Sequence, residues 1–170
     1  DIVVIDTGAR PFIPPVPGLD GVPYLHSTSV MELAEVPAHL VVLGGGYVGL
    51  EFAQMFRRFG SRVTVLQREG QLVPHEDADV ADAVLQLLRE DGIDVVTGAS
   101  VTRAASVDGV RLEWTLADGS AGDVTGSHLL VAAGRRPNTD DLGLAAGGVA
   151  ADDRGFVTVN ERLETSAAGV

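Results

Sequence analysis

An α/β fold built on a parallel sheet follows from three observations in the sequence. The apolar run at residues 40–43, the segment 62–67 and the stretch "IDVVTG" are rich in branched side chains and too short for helices, as expected of buried strands in such a sheet. Between them lie two segments with apolar residues at helical spacing, 47–59 and a stretch running to about Asp91, each closed by a glycine, Gly60 and Gly92. Strand and helix therefore alternate, the order that yields parallel pairing. After Ser100 the pattern changes to short alternating segments broken by "VDGV" and "ADGS", which predicts a small antiparallel β-meander up to about Thr125.

Taken in order, the chain opens with an apolar strand candidate, "DIVVID", followed by a proline-broken extended connector. "STSVMEL" offers hydroxyl caps for a short helix near residues 30–33, and 40–43 is the first buried strand. In the first long helix Val48, Leu50, Phe52, Met55, Phe56 and Phe59 repeat at helical spacing. Pro74 and the carboxylates Glu76, Asp77 and Asp79 precede the second, where negative charge complements the helix dipole. Trp114 in the meander is expected to pack. "HLLVAAG" is a further buried strand ending at Gly134, "RRPNTDD" a loop, and "GFVTVN" a last strand.

Composition narrows the function. A chain of 170 residues, 45% hydrophobic, has room for one principal core. A net charge of −12 and a pI near 4.5 exclude nucleic acid and anionic membrane as partners, since both demand a basic face. No run approaches the roughly 18–20 apolar residues that span a bilayer, and no basic segment leads an apolar leader, so a soluble, cytoplasmic protein is expected. There are no cysteines, and the 4 histidines are spread without metal-ligand spacing; no metal site is expected.

Chemistry concentrates in "VVLGGGYVGLEFAQMFRRFGSRVTVLQR". Gly44, Gly46 and Gly49 satisfy GxGxxG, follow a predicted strand and open a helix, and a second strand ends about 20 residues further on. These are the conditions for a Rossmann-like dinucleotide-binding fold: the first glycine permits the turn, the second lets backbone approach a diphosphate, and the third lets helix and strand pack closely. The unpaired N–H groups of the helix start, around Tyr47 and Val48, hold the anion despite the acidic chain. At the end of the second strand an acid would favour the free ribose hydroxyls of NAD. Gln67 carries no charge and Arg68 is suited to a 2′-phosphate, so NADP is favoured over NAD, with Glu69 offsetting part of the positive field.

"VIDTGARPFIPPVPG", the glycine segment, "VAAGRRPNTDDLGL" and "GFVTVNERLETSAAGV", in that order, resemble the pyridine nucleotide-disulfide oxidoreductases, the flavoprotein family of dihydrolipoamide dehydrogenase, glutathione reductase and mercuric reductase. The resemblance covers essentially the whole chain. It implies an FAD domain interrupted by an NAD(P) domain and followed by a dimerisation domain. Residues 1–25 are then the end of an FAD-domain segment with its connector, 26–149 the NAD(P)-binding domain, and 150–170 the return towards the FAD domain. The family's flavin fingerprint and redox cysteine pair are expected before residue 1.

The resemblance also assigns roles. Tyr47 matches the ring that covers the nicotinamide pocket beside the flavin and moves aside for cofactor, and Glu51 matches a glutamate paired with a flavin-domain lysine. Val101 would lie against the adenine, and Gly134 would leave room for cofactor at a strand end. Thr7 and Gly8 match an FAD-contacting turn, with Asp6 where a small residue is usual. Gln67-Arg68 is closer to the NADPH-using members, although Pro74 stands near the place of their second arginine. The implied reaction is hydride transfer from NAD(P)H to FAD, and on to a disulfide or metal, in a homodimeric parent. Two other readings stay open: an NAD(P)H domain of a flavoprotein reductase without redox cysteines, of the ferredoxin reductase or NADH oxidase type, and a nucleotide-binding module without catalysis. A self-contained Tyr–Lys dehydrogenase is excluded, since every basic residue counted with lysine is an arginine.

Overall fold

The computed structural model describes residues 2–170, which form two compact units. The larger, Ile13–Gly134, is built on a four-stranded parallel sheet of β2 (His39–Leu43), β3 (Arg62–Leu66), β4 (Asp94–Val96) and β8 (His128–Val131), in the order β4-β3-β2-β8. Leu43 sits opposite Leu66 and Val131, so three strands end level with one another. Helix α1 (Tyr47–Arg58) joins β2 to β3, and α2 (Ala78–Glu90) leads into β4.

Alternation along the strands explains the layering, because successive side chains point to opposite faces. Leu40, Val42, Val63 and Val65 face Leu50, Ala53 and Phe56 of α1 and Ala81 and Leu88 of α2. Val41, Leu43, Leu66, Leu129 and Val131 instead face the meander. That meander comprises β5 (Ser100–Val107), β6 (Gly109–Thr115) and β7 (Ala121–Gly126), which contribute Ala104, Val110 and Leu112 to the same cluster. Each fully buried leucine or valine contributes about 1.5–3 kcal/mol, so helices and meander are both required to cover the sheet. Trp114 packs, as expected, with its indole over Gly122.

The two helices are also tied at their C-terminal ends. Arg57 Nε donates to the Asp91 carbonyl at 2.8 Å, and Gln54 Nε2 to the Asp91 carboxylate at 2.9 Å. A guanidinium beside the last carbonyls of α2 suits its negative dipole end. The short helix expected near residues 30–33 is a 3-10 turn, Ser29–Glu32, with Val30 buried.

Residues 13–25 fold with this unit. Leu19 is buried beneath the meander, Ala104 N donates to Pro17 O, and Leu25 bridges to Leu130. Burial of these apolar residues outweighs the connector character that the prolines suggest.

The smaller unit pairs residues up to Phe12 with Arg135–Val170. Its ladder is β1 (Ala9–Pro11) against β9 (Arg135–Pro137), antiparallel. Three expectations are corrected here. The opening apolar run is not a strand, since Val3 N donates to Gly169 O but no ladder forms among the described residues. "RRPNTDD" is not wholly loop, because its first residues form β9. "GFVTVN" makes one isolated bridge, Ala151 to Val157, instead of a strand. A strand exists only where a partner satisfies its N–H and C=O groups, and local composition does not reveal the partner.

Candidate functional site

The site forms where β2 and β3 end and α1 begins. Gly44 has φ 117, and a Cβ on it would fall 2.4 Å from Ala132 O. Gly49 is equally constrained, since its Cβ would lie 2.2 Å from Gly44 O. These two glycines bring helix and strand into contact. Gly46 is different: a Cβ there would meet nothing within 4 Å, and its φ of −84 suits any residue. It leaves an open space directly at the helix N-terminus, where no side chain caps α1. The first helical bond runs from Leu50 N to Gly46 O at 3.0 Å. The N–H groups of Tyr47, Val48 and Gly49 therefore have no acceptor within the helix, which leaves donors and a positive dipole end facing that space. Such a helix start, with free N–H donors and a positive dipole end, is chemically suited to an anion such as a diphosphate.

Gly45, passed over by the motif, is the buried member of the turn. Its N–H donates to Gln67 Oε1 at 2.7 Å, and its carbonyl accepts from Val73 N at 2.8 Å. Leu72 Cδ2 lies 2.5 Å from where its Cβ would be. The segment after β3 thus folds back over the turn, with Leu72 and Val73 buried and Val73 held at φ 40. A branched residue in that region costs about 1–3 kcal/mol, offset here by burial and by the bond to Gly45. The sequence signal was available only as "LV" ahead of Pro74, an apolar pair in an otherwise polar loop.

Gln67 is buried, at 4% exposure, and its side chain is turned inward. Its Nε2 donates to Glu69 Oε2 at 2.8 Å and to Gln71 O at 3.3 Å. Arg68 is its opposite, with 80% of its side chain exposed and an ion pair to Glu69 at 2.7 Å. That pairing holds the Glu69 carboxyl below its ordinary value. The strand end passes close to the entry to β5, through Gln67 N to Val96 O and Ala99 N to Gln67 O, both 2.9 Å. Val101 lies two residues beyond, half-buried opposite Trp114.

Tyr47 stands at the lip of the turn, 56% exposed, and its hydroxyl donates to Glu76. The hydrogen bond raises the phenol pKa. Of the three carboxylates expected to serve the start of α2, Glu76 therefore has a different partner. Glu51, one turn along α1, is exposed. Gly134, after β8, has φ 127 and open space around its Cβ position. In the smaller unit, Thr7 O and Gly8 O accept from Asn138 Nδ2 and N at 2.9 and 3.0 Å, which fixes that turn. The glycine turn, Tyr47, Val48 and Gln67 are thus gathered in one place, with Arg68, Glu51 and Val101 around it.

This arrangement defines the class: a Rossmann-like α/β domain whose glycine turn opens a helix at the ends of parallel strands. The chain belongs to the pyridine nucleotide-disulphide oxidoreductase family, whose description matches residues 1–170. It is 47% identical over 164 residues to a mercuric reductase of Streptomyces lividans, covering 95% of this chain and 34% of that protein. It is 38% identical over 166 residues to the probable pyridine nucleotide-disulfide oxidoreductase RclA of Escherichia coli, covering 97% of this chain and 37% of that one. The solved structure of RclA, an HOCl-induced flavoprotein disulfide reductase, superposes with a TM-score of 0.84 over 96% of the chain and 37% of its own length. The chain thus spans about a third of the length of these relatives, which are oxidoreductases.

Proposed function

We propose that this chain is the NAD(P)H-binding part of an FAD-dependent disulfide or metal reductase. The observation that carries the reading is the open cradle at Gly46, faced by the free N–H groups of Tyr47, Val48 and Gly49, within a chain of this family. In this reading Ile13–Gly134 is the nucleotide domain, and the residues up to Phe12 with Arg135–Val170 belong with the flavin domain of the same cytoplasmic, homodimeric parent; the bounds of the two compact units replace the 26–149 expected from the sequence. Bound together, nicotinamide and flavin supply hydride transfer from C4 to N5. The protein's part is to bind, orient and exclude water.

Gly44 and Gly49 shape the turn, and the helix N-terminus binds the diphosphate. Gln67 and Arg68 border the adenosine end, with Val101 against the adenine, and Gly134 leaves room for cofactor beside the end of β8. Arg68 takes the 2′-phosphate of NADP by exchanging it for Glu69, a carboxylate that an anion of higher charge displaces. The Tyr47 ring covers the nicotinamide position, and Glu51 meets a lysine of the flavin domain. Thr7 and Gly8 contact FAD.

Thermal unfolding with NADPH or NADH tests this directly, since a ligand at 100 times its dissociation constant adds about 2.7 kcal/mol. NADPH is expected to raise the midpoint more than NADH, and Arg68→Ala to remove the difference. No shift with either dinucleotide would refute the reading.

A further inference from the structure

We propose that Gln67 is a positioning residue of the nucleotide-binding turn, holding Gly45 from inside the protein, and makes no direct contact with the cofactor ribose. The proposal rests on the reading of residues 44–49 as a dinucleotide site. A carboxamide has one oxygen acceptor and two N–H donors. In Gln67 the oxygen takes the Gly45 N–H at 2.7 Å, and the nitrogen serves the Glu69 carboxylate at 2.8 Å and the Gln71 carbonyl at 3.3 Å. The partners also dictate which way the amide faces. Reversed, it would set NH2 against the Gly45 N–H, and oxygen against the Glu69 carboxylate and a carbonyl.

Gly45 is consequently gripped on both sides, by Gln67 at its N–H and by Val73 N at its carbonyl. To reach a ribose, the carboxamide would have to abandon a buried N–H, whose desolvation would then be uncompensated. The grip instead fixes the peptide immediately before Gly46, and so the direction of the cradle. An acid here, the residue that would select NAD at an ordinary strand end, is excluded on chemical grounds: it would place a second carboxylate within hydrogen-bond distance of Glu69. Gln67 and Glu69 are a matched pair, and selection at the 2′ position falls to the exposed Arg68.

The test is a charge swap in the full chain, read as dissociation constants for NADH, NADPH and ADP-ribose alongside the unfolding midpoint. Gln67→Glu is expected to weaken all three ligands by a common factor of about ten, leaving the NADPH-to-NADH ratio within about twofold. Gln67→Glu keeps an acceptor for Gly45 but loses the donor to Glu69; the double variant Gln67→Glu/Glu69→Gln supplies that donor from position 69, and is expected to recover NADH and ADP-ribose affinity to within about threefold. A change in the ratio beyond about fivefold in Gln67→Glu alone would identify a direct ribose contact and overturn the proposal. A lowered midpoint with unchanged affinities would overturn it as well, as would failure of the swap to recover binding. If Gln67→Glu does not fold, the double variant decides by its NADH and ADP-ribose dissociation constants and its midpoint, because loss of the Glu69 charge releases Arg68 and shifts NADPH on its own account. Absence of dinucleotide binding in the unsubstituted chain would instead refute the underlying reading.

Discussion

The hydroxyl of Tyr47, the first residue of α1, donates to the carboxylate of Glu76, 29 positions further along the chain. The bond crosses from the glycine turn to the loop ahead of α2 and raises the phenol pKa. Glu76→Ala is expected to bring that pKa back towards the ordinary tyrosine value. Absorbance of tyrosinate during alkaline titration checks this, because only 2 tyrosines contribute. If Tyr47 yields to an incoming nicotinamide, the same substitution tightens NADPH binding, by no more than about tenfold for one exposed hydrogen bond. Weaker binding would show that the tethered position is the productive one.

The three motif glycines should separate into two classes. Alanine at Gly46 meets open space at an ordinary φ, so folding should be retained while the cradle is filled and dinucleotide binding falls. Alanine at Gly44 or Gly49 collides with backbone oxygen at 2.4 and 2.2 Å, and should cost about 1–3 kcal/mol of stability or more. Urea unfolding and NADPH titration on the same variants would show the split; equal stability losses at all three positions would contradict it.

Gly45 and Leu72 should be energetically coupled. Alanine at Gly45 places its Cβ 2.5 Å from Leu72 Cδ2, and Leu72→Ala removes that obstacle at the cost of a cavity. A leucine truncation alone costs about 2–5 kcal/mol. The double variant is expected to be more stable than the sum of the singles by about 0.5–3 kcal/mol, measured by a denaturation cycle. Simple additivity would mean that the loop moves away instead of pressing on the turn.

Acid should destabilise the larger unit through His39. Burial, and then the Arg62 charge, lower its folded pKa, while Asp94 and the Thr125 backbone act in the opposite sense. Its Nε2 lies 2.9 Å from the hydroxyl of buried Thr64. The unfolded chain therefore binds the proton first, near the ordinary value of about 6.5. The contribution is complete above that pH and is lost as pH falls through the folded value. Unfolding free energy measured from neutral to mildly acidic pH should decline, and His39→Gln should flatten that decline. An unchanged slope would assign the effect to other groups.

Much of this protein was legible along the chain because its signals are local. Strands β2, β3 and β8 announce themselves as short segments dominated by leucine and valine, since helices cover one face of the sheet and the meander covers the other. Helix α1 carries its own period and its own stop, and the glycine spacing marks a turn whose backbone demands are met within a few residues. What only the tertiary structure decided depends on partners far away in sequence. The ladder that makes Ala9–Pro11 a strand comes from Arg135–Pro137, while the more apolar run before it finds no ladder among the described residues. Gln67 looked like a residue facing a cofactor because its position suggests that role. Its direction was set by a buried N–H on Gly45 and by acceptors on Glu69 and Gln71, each of which had to be satisfied once water was excluded. Composition and period determine which elements form; the pairing of buried polar groups, known only when the chain has closed on itself, decides which way the side chains at the site point.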